Sequence, residues 1–401
     1  MVMRYIDEMD IDGKRVLLRV DYNVPMENGR VEDDARIKAS LPTIRYALDR
    51  GCSLVIISHM GRPKGKAVPE LSLAPVSEHL SRLLGRSVRF VGDIVGPKAR
   101  QAAEELWPGE MLMLENLRFD PREEENDKEF SRELASYGQV YIDDAFSNAH
   151  RAHASNVGVV RYLPESGGGL QMKTELSSLQ RALDLPRRPL VAVIGGAKVA
   201  GKIAALENLH GRVDKMLLGG GMAYPFLAAQ GRPVDGASPD EATVERARGM
   251  LERDRDHKLV FPVDMVAADR KSEDAFAEVV PIDELGNRLG LDIGPRTAQI
   301  FREEIARAGT VIWNGPMGVF EMEPFSHGTR TVAEAIAASP AFSLVGGGDT
   351  GSALDQYGLR DRTSYVSTGG GAFLEALTGR ELPAVEALDT DKGMITTRTI
   401  A

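Results

Sequence analysis

Short runs of β-branched and other apolar residues alternate along this chain with longer segments in which apolar positions return every three or four residues. In the first half the runs centre on Val16–Val20, Leu54–Ser58, Val88–Val91, Met111–Leu114 and Val140–Ile142. In the second half they centre on Val191–Ile194, Lys215–Leu218, Leu259–Phe261, Val311–Trp313, Phe342–Val345 and Tyr365–Ser367. Unbroken apolar runs of this length suit strands buried on both faces. The segments between them suit helices: Ile37, Leu41, Ile44 and Leu48 follow spacings of four, three and four and so share one face. The pattern predicts repeated βα units and parallel sheets, an α/β protein.

The run of units is interrupted once. Gly167-Gly168-Gly169 precedes Leu170–Leu183, in which Leu176, Leu179 and Leu183 recur at helical spacing, and Pro186 and Pro189 follow. Flexible glycines, a helix and stiff prolines read as a linker, although the glycines also fit one more surface loop. The reading places a first domain at 1–166, a linker helix at 167–185, a second domain at 186–378 and a C-terminal segment at 379–401. From Leu388 onward the chain is polar and Thr-rich, and no pattern sets its path.

With 401 residues the chain can bury a core in each of two or three domains. A hydrophobic content of 43% with 27% charged residues suits a soluble globular protein. The formal charge of −10 argues against nucleic acid as a partner, because phosphate neutralisation wants a basic face. Cys52 is the only cysteine, so a disulfide framework or a thiolate zinc site is excluded and a reducing cytoplasm fits. The first residues lack a signal-peptide core, and no apolar run reaches membrane-spanning length.

The stretch Val191–Ile203, VAVIGGAKVAGKI, joins a strand, a glycine turn and a helix start that carries Lys198 and Lys202. Backbone N–H groups at a helix N-terminus point at an anion, and glycine lets it come close. Gly196–Lys202 nearly satisfies the G-x-x-x-x-G-K-[ST] phosphate loop, but Ile203 stands where the Mg²⁺-binding hydroxyl belongs. A phosphate site therefore needs a metal ligand from elsewhere. The plain alternative is a strand-to-helix turn with two solvated lysines.

In parallel α/β sheets ligands bind beyond the carboxyl ends of the strands. In the first half those positions carry Asp21 and Asn23, then His59, Gly61 and Arg62, then Arg118, then His150 and Arg151, with Arg36 opening the first helix. Guanidinium forks match carboxylate and phosphate, so this edge suggests a small, multiply anionic ligand. His59, His150 and His153 could instead ligate a metal, a weaker reading with seven histidines in all and no thiolate partner. The run Glu123–Asp127 reads as a solvated loop and helix start. In the second half the same edge carries glycine: Gly195-Gly196, Gly219-Gly220-Gly221, Gly346-Gly347-Gly348 and Gly369-Gly370-Gly371. Bare amides with Lys198 and Lys202 describe a nucleotide phosphate site. Gly346–Gly351 matches the dinucleotide fingerprint G-x-G-x-x-G, but Ser367-Thr368-Gly369 offers no acid for a ribose. Asp349 inside this loop would repel a pyrophosphate unless a cation bridges them, which makes it the candidate Mg²⁺ contact; a helix N-cap is the alternative. An anion site on one half and an Mg-nucleotide site on the other, closing on a hinge against water, describe a kinase for a small acidic substrate. A nicotinamide dehydrogenase and a non-catalytic nucleotide-binding regulator are the rival classes.

The segments VLLRVDYNVP (16–25), DARIKASLPTI (34–44), SHMGRP (58–63), ENLRF (115–119), DDAFSNAHRAHAS (143–155), GGAKV (195–199), NGPMGVFE (314–321), GGGDT (346–350) and STGGGA (367–372) closely resemble the phosphoglycerate kinases, in order along nearly the whole chain. The resemblance implies two similar-sized, doubly wound (Rossmann-like) domains joined across a cleft, in a cytoplasmic monomer. It implies phosphoryl transfer between 1,3-bisphosphoglycerate and ADP, giving 3-phosphoglycerate and ATP, with Mg²⁺ carried on the nucleotide. By position it assigns Asp21, Asn23, Arg36, His59, Gly61, Arg62, Arg118 and Arg151 to the phosphoglycerate, with His150 nearby. Lys202, Glu321, Gly347, Gly348, Asp349 and Thr350 fall to the nucleotide, with Asp349 on the metal and Gly219, Gly220 and Gly294 at the adenine. Arg36, Lys198, Gly370 and Gly371 are the expected catalytic groups, stabilising charge on the moving phosphoryl without a general base. Asn148 stands where a threonine is common, Ala200-Gly201 replaces a more polar pair, and the tail beyond Leu388 runs long.

Overall fold

A computed structural model describes residues 3–197, 199, 201–232, 234 and 239–389. Lys198 and the tail beyond Asp389 lie outside the described residues. Contacts divide the chain into two compact units, one formed by the chain up to Leu176 together with the segment from Glu381, the other by Ser177–Arg380.

The first unit is built on a six-stranded, all-parallel sheet. Its strands are β1 (Arg15–Arg19), β2 (Ser53–Ile57), β3 (Val88–Val91), β4 (Met111–Leu114), β5 (Val140–Asp143) and β6 (Ser166–Gly168), in the order β3-β4-β2-β1-β5-β6. Side chains alternate across the sheet. Val16, Leu18, Ile56, Met113 and Ile142 enter one core, while Leu17, Val55, Leu112 and Tyr141 enter the other. The first core is closed by helix α1 (Ala35–Asp49), which buries Ile37, Ile44 and Leu48 and leaves Leu41 half-buried. Leu388 joins the second core, and Ala384 N donates to Ala149 O at 3.1 Å, so the described end of the chain belongs to this unit.

Two features of this unit depart from the sequence reading. Gly167 and Gly168 are not a flexible seam but strand β6, pairing with Ile142 and Asp143. Gly169 is demanded by packing, since a Cβ there would overlap the Asp144 carboxylate. That carboxylate accepts from Gln171 N (2.8 Å) and Met172 N (3.1 Å) and so caps helix α2 (Leu170–Leu183). A hairpin of Met26–Glu27 with Arg30–Val31 also went unread; Asn28 and Gly29, both at positive φ, form its turn.

The second unit carries β7 (Leu190–Ile194), β8 (Lys215–Leu218), β9 (Leu259–Val260), β10 (Asp264–Ala268), β11 (Glu278–Pro281), β12 (Leu289–Ile293), β13 (Thr310–Asn314), β14 (Phe342–Gly346) and β15 (Tyr365–Val366). Six of them make a parallel sheet in the order β9-β8-β7-β13-β14-β15. The remaining three form an antiparallel sheet, β11-β10-β12, that the apolar runs do not announce. One face packs Met265, Ala267 and Val280 against Tyr224 and Leu227, the other places Val266, Ala268 and Leu291 with Phe325, and Val279 is 52% exposed. β10 does carry a short apolar run, Met265–Ala268, but Glu278 and Pro281 bound β11 and Gly290 and Asp292 interrupt β12.

Candidate active site

The carboxyl ends of β1, β2, β4 and β5 bring the predicted anion-binding residues together through their own hydrogen bonds. Asp21 and Asn23 follow β1. The Asn23 side chain accepts from Gly61 N (2.9 Å), and the Gly61 carbonyl accepts from Arg118 Nη1 (2.7 Å). Arg36, in the first turn of α1, donates to Asn23 O (2.9 Å) and pairs with Asp21 at 2.8 Å, while Ser147 donates to the same Asp21 carboxylate. Gly61 adopts φ +62, and a Cβ there would press on Leu71, so the loop after β2 needs glycine to make this bridge. Arg118 is 4% exposed, and its Nε lies 3.3 Å from a Glu124 carboxylate oxygen as an ion pair without hydrogen-bond geometry. Burial, with the nearby Arg19 and Arg151, lowers its pKa to about 10 although Glu124 opposes the shift. Arg151 donates to His150 Nε2 at 3.3 Å. Arg62 is exposed and makes no hydrogen bond or ion pair among the described residues.

His59 is buried, its Nδ1 2.9 Å from Arg19 Nη2. Burial drives its imidazole well below the ordinary value, reinforced by the charges of Arg19 and Arg118. Among the described residues no group of three or more His, Cys, Asp or Glu is placed to hold a metal, and a guanidinium against His59 Nδ1 disfavours a cation there. Glu123 requires a correction. It is 0% exposed rather than solvated, and both its oxygens accept from Ser155. Asp127, at the other end of that run, does cap a helix, accepting from Phe130 N at 2.8 Å.

In the second unit the glycine turns converge at one sheet edge. Gly195 N donates to Asn314 O (3.0 Å) and Gly196 N to Pro316 O (2.8 Å), tying the loops after β7 and β13. The Asn314 side chain donates to Gly346 O (2.9 Å), and Gly315 N donates to Thr350 Oγ1 (2.8 Å), which adds the loop after β14. A Cβ on Gly220 would lie 3.3 Å from Gly196 N and from the carbonyls of Pro316 and Met317, so the loop after β8 packs into the same cluster. Lys202 immediately precedes helix α3 (Ile203–His210), and its ammonium donates to Gly195 O at 2.9 Å. Burial lowers its pKa to about 8, with Asp349 opposing.

Gly347, at φ +99, precedes helix α5 (Gly348–Gln356) once α4 (Pro295–Arg307) has passed, and Asp349 sits exposed in the first turn of α5. Gly370, at φ +50, precedes α6 (Gly371–Leu377), whose Phe373 packs so closely on Gly346 that no Cβ fits there. Gly219 lies beside Met317 and Ile293. Gly294 has a structural reason of its own, because Asp264 fills the space of its Cβ and accepts from Arg296 N and Thr297 N. Glu321 is exposed. Lys198 lies outside the described residues.

The residues missed from sequence are those that hold the site from behind: Arg19, Glu123 and Ser155 in the first unit, Asn314 and Gly315 in the second. Arg19 did leave a signal, as a cation inside the apolar run VLLRV.

Two sheet edges, one furnished with buried and half-buried guanidinium groups and the other with glycine turns around a lysine, define a doubly wound kinase for a small anionic substrate. The family model described as phosphoglycerate kinase matches residues 6–380. A phosphoglycerate kinase of Desulforapulum autotrophicum is 50% identical, covering 96% of this chain and all of that protein. One from Roseiflexus castenholzii is 51% identical over 97% of this chain and all of its own. Among solved structures, phosphoglycerate kinase from Coxiella burnetii aligns with a TM-score of 0.88 at 42% identity, over 96% of this chain and 99% of that one. That from Pyrococcus horikoshii gives 0.83 at 36%, over 96% and 98%. The chain belongs to the phosphoglycerate kinase family.

Proposed function

We propose that the basic edge of the first unit holds the phosphoglycerate and the glycine-lined edge of the second holds the nucleotide, and that a phosphoryl group passes directly between them. The reaction is reversible transfer between 1,3-bisphosphoglycerate and ADP, giving 3-phosphoglycerate and ATP. In either direction the acceptor oxygen is already anionic, a carboxylate or a nucleotide phosphate. No proton is abstracted, and the enzyme works by position and by spreading charge. Asp21, Asn23, His59, Gly61, Arg62, Arg118, His150 and Arg151 bind the triose acid. Arg36, Lys198 and the amides of Gly370 and Gly371 serve the moving group. Lys202, Glu321 and Gly347–Thr350 contact the nucleotide, with Gly219, Gly220 and Gly294 at the adenine. Asp349 fits Mg²⁺ bound with the nucleotide: it is an exposed carboxylate near the Lys202 ammonium, and Mg²⁺ commonly takes one or two carboxylates, leaving its other positions to phosphate and water. The metal supplies charge neutralisation on the phosphates. The enzyme works as a cytoplasmic monomer that closes on a hinge to exclude water, with the division 1–166, 167–185, 186–378 and 379–401.

The observation that carries this reading is the contrast of the two edges, guanidinium forks joined through Gly61 against glycine-bearing loops tied to one another, with Lys202 beside Gly195, Gly196 and Gly315. A coupled assay with 3-phosphoglycerate and MgATP tests it. ADP should appear only when both are present, and ATP consumption that ignores 3-phosphoglycerate would refute it.

A further inference from the structure

We propose that Arg19 is a positioning residue that locks His59 as the neutral tautomer carrying its hydrogen on Nε2, so that His59 meets the phosphoglycerate as a directed donor and not as a cation. The proposal rests on the reading that His59 touches that substrate.

Arg19 closes β1 and is 0% exposed. Each of its three nitrogens directs one N–H at a buried acceptor. Nε donates to Ser155 Oγ (3.0 Å), Nη1 to the Val20 carbonyl, and Nη2 stands 2.9 Å from His59 Nδ1. A guanidinium offers no acceptor and keeps its proton in proteins, so the ring nitrogen must accept. A neutral imidazole that accepts at Nδ1 carries its hydrogen at Nε2. A doubly protonated ring would set N–H against N–H and place a second cation beside the first. The other charges facing His59 act the same way: Arg118 from the loop after β4, Arg36 from α1 and His153 from the loop after β5. Together with burial they hold the imidazole well below its usual value.

Arg19 is aimed from behind. The Ser155 hydroxyl that accepts from Nε donates onward to Glu123 Oε1 at 2.6 Å, and Ser155 N donates to Glu123 Oε2 at 3.0 Å. One hydrogen on each Arg19 nitrogen and the Ser155 hydroxyl hydrogen have an assigned direction, so the fork cannot turn without breaking a buried bond. A neutral donor also keeps its hydrogen bond across the range in which an ordinary histidine changes charge.

The test uses the full chain labelled with ¹⁵N-histidine, with His59 assigned by comparison with His59→Gln. Long-range ¹H–¹⁵N spectra from acid to mildly alkaline pH should show Nδ1 bare and Nε2 bearing hydrogen throughout, with the Nε2 resonance moving when 3-phosphoglycerate is added. A ring that titrates near its ordinary 6.5, or one with hydrogen on Nδ1, overturns the proposal. A ring with the expected tautomer that ignores 3-phosphoglycerate while the coupled assay turns over overturns it differently, by removing His59 from the substrate. Arg19→Lys keeps the charge and loses the fork; KM for 3-phosphoglycerate should rise roughly tenfold with kcat nearly unchanged, and His59 should lose its single tautomer. Ser155→Ala, a smaller change, should move both readouts in the same direction by roughly threefold in KM. Variants that lose stability while keeping both the tautomer and KM would leave Arg19 a purely structural role and refute the proposal.

Discussion

Replacing Arg36 by alanine separates the two edges. Its guanidinium is 33% exposed, pairs with Asp21 at 2.8 Å and donates to Asn23 O at 2.9 Å. Folding should lose little, about 0.5–1 kcal/mol, because the pair is partly solvated and Asp21 keeps Asn23 N and the Ser147 hydroxyl as donors. Transfer should lose far more. A preorganised donor aimed at developing charge contributes about 3–4 kcal/mol, so kcat in the coupled assay should fall roughly 10²–10³-fold. ADP binding measured by calorimetry should stay within about twofold of the parent, since Arg36 belongs to the first unit and the glycine turns proposed to hold the nucleotide belong to the second. Arg36→Lys, which keeps charge without the planar fork, should recover part of the rate. An alanine variant that remains folded and keeps kcat within about threefold of the parent would refute the role assigned to this residue.

Further outcomes follow from buried charge and from the metal. Lys202→Met should abolish nucleotide binding yet stabilise the ligand-free protein at pH 7 by up to about 3 kcal/mol in urea unfolding, because burial holds the folded-state pKa near 8 against 10.5. Below pH 8 both states carry the charge and the folded one bears its full desolvation; between 8 and 10.5 the unfolded chain alone keeps the proton, so parental stability should rise with pH there and that of the variant should not. Glu123→Gln should cost about 3 kcal/mol at neutral pH by removing one of the two buried carboxylates that balance Arg19, the other being Asp143. Burial would raise the Glu123 pKa, but His153, Arg19 and Ser155 outweigh it and hold it below 4.5, so the deficit should shrink only as pH falls through the acid range in which the parent takes up its proton. Asp349→Asn should raise the Mg²⁺ concentration needed for half-maximal rate about tenfold while leaving metal-free ADP binding intact or improved.

Much of this fold was legible because both large sheets are parallel and buried on both faces, which writes each strand as a continuous apolar run. Leu54 to Ile57 are all buried, and alternate residues serve opposite cores. The antiparallel sheet was harder to read because β11 and β12 are broken by Glu278, Pro281, Gly290 and Asp292, which left only the short run Met265–Ala268 of β10. Gly167 and Gly168 misled in the opposite sense. Glycines usually loosen a chain, but these lie in a strand where Met9 and Arg4 fill the Cβ space of Gly167. The candidate site residues were legible as residue types at strand ends, since the βα rule names those positions without coordinates.

What supports those residues was not legible, and the reason is physical. Glu123 sits in EEEND, which by composition belongs in water; only the fold reveals that Ser155 and Arg19, far away in sequence, give this one carboxylate a partnered interior. A buried ion is tolerable when its partners are supplied by tertiary structure, and tertiary partners leave no periodic trace. The same logic explains why Arg19 was passed over while Arg36, Arg62, Arg118 and Arg151 were not. Arginines at strand ends can reach a ligand, whereas an arginine inside a strand acts through whatever its fork touches. Here that is His59, so the groups that tune the first edge are read from hydrogen-bond direction and not from spacing.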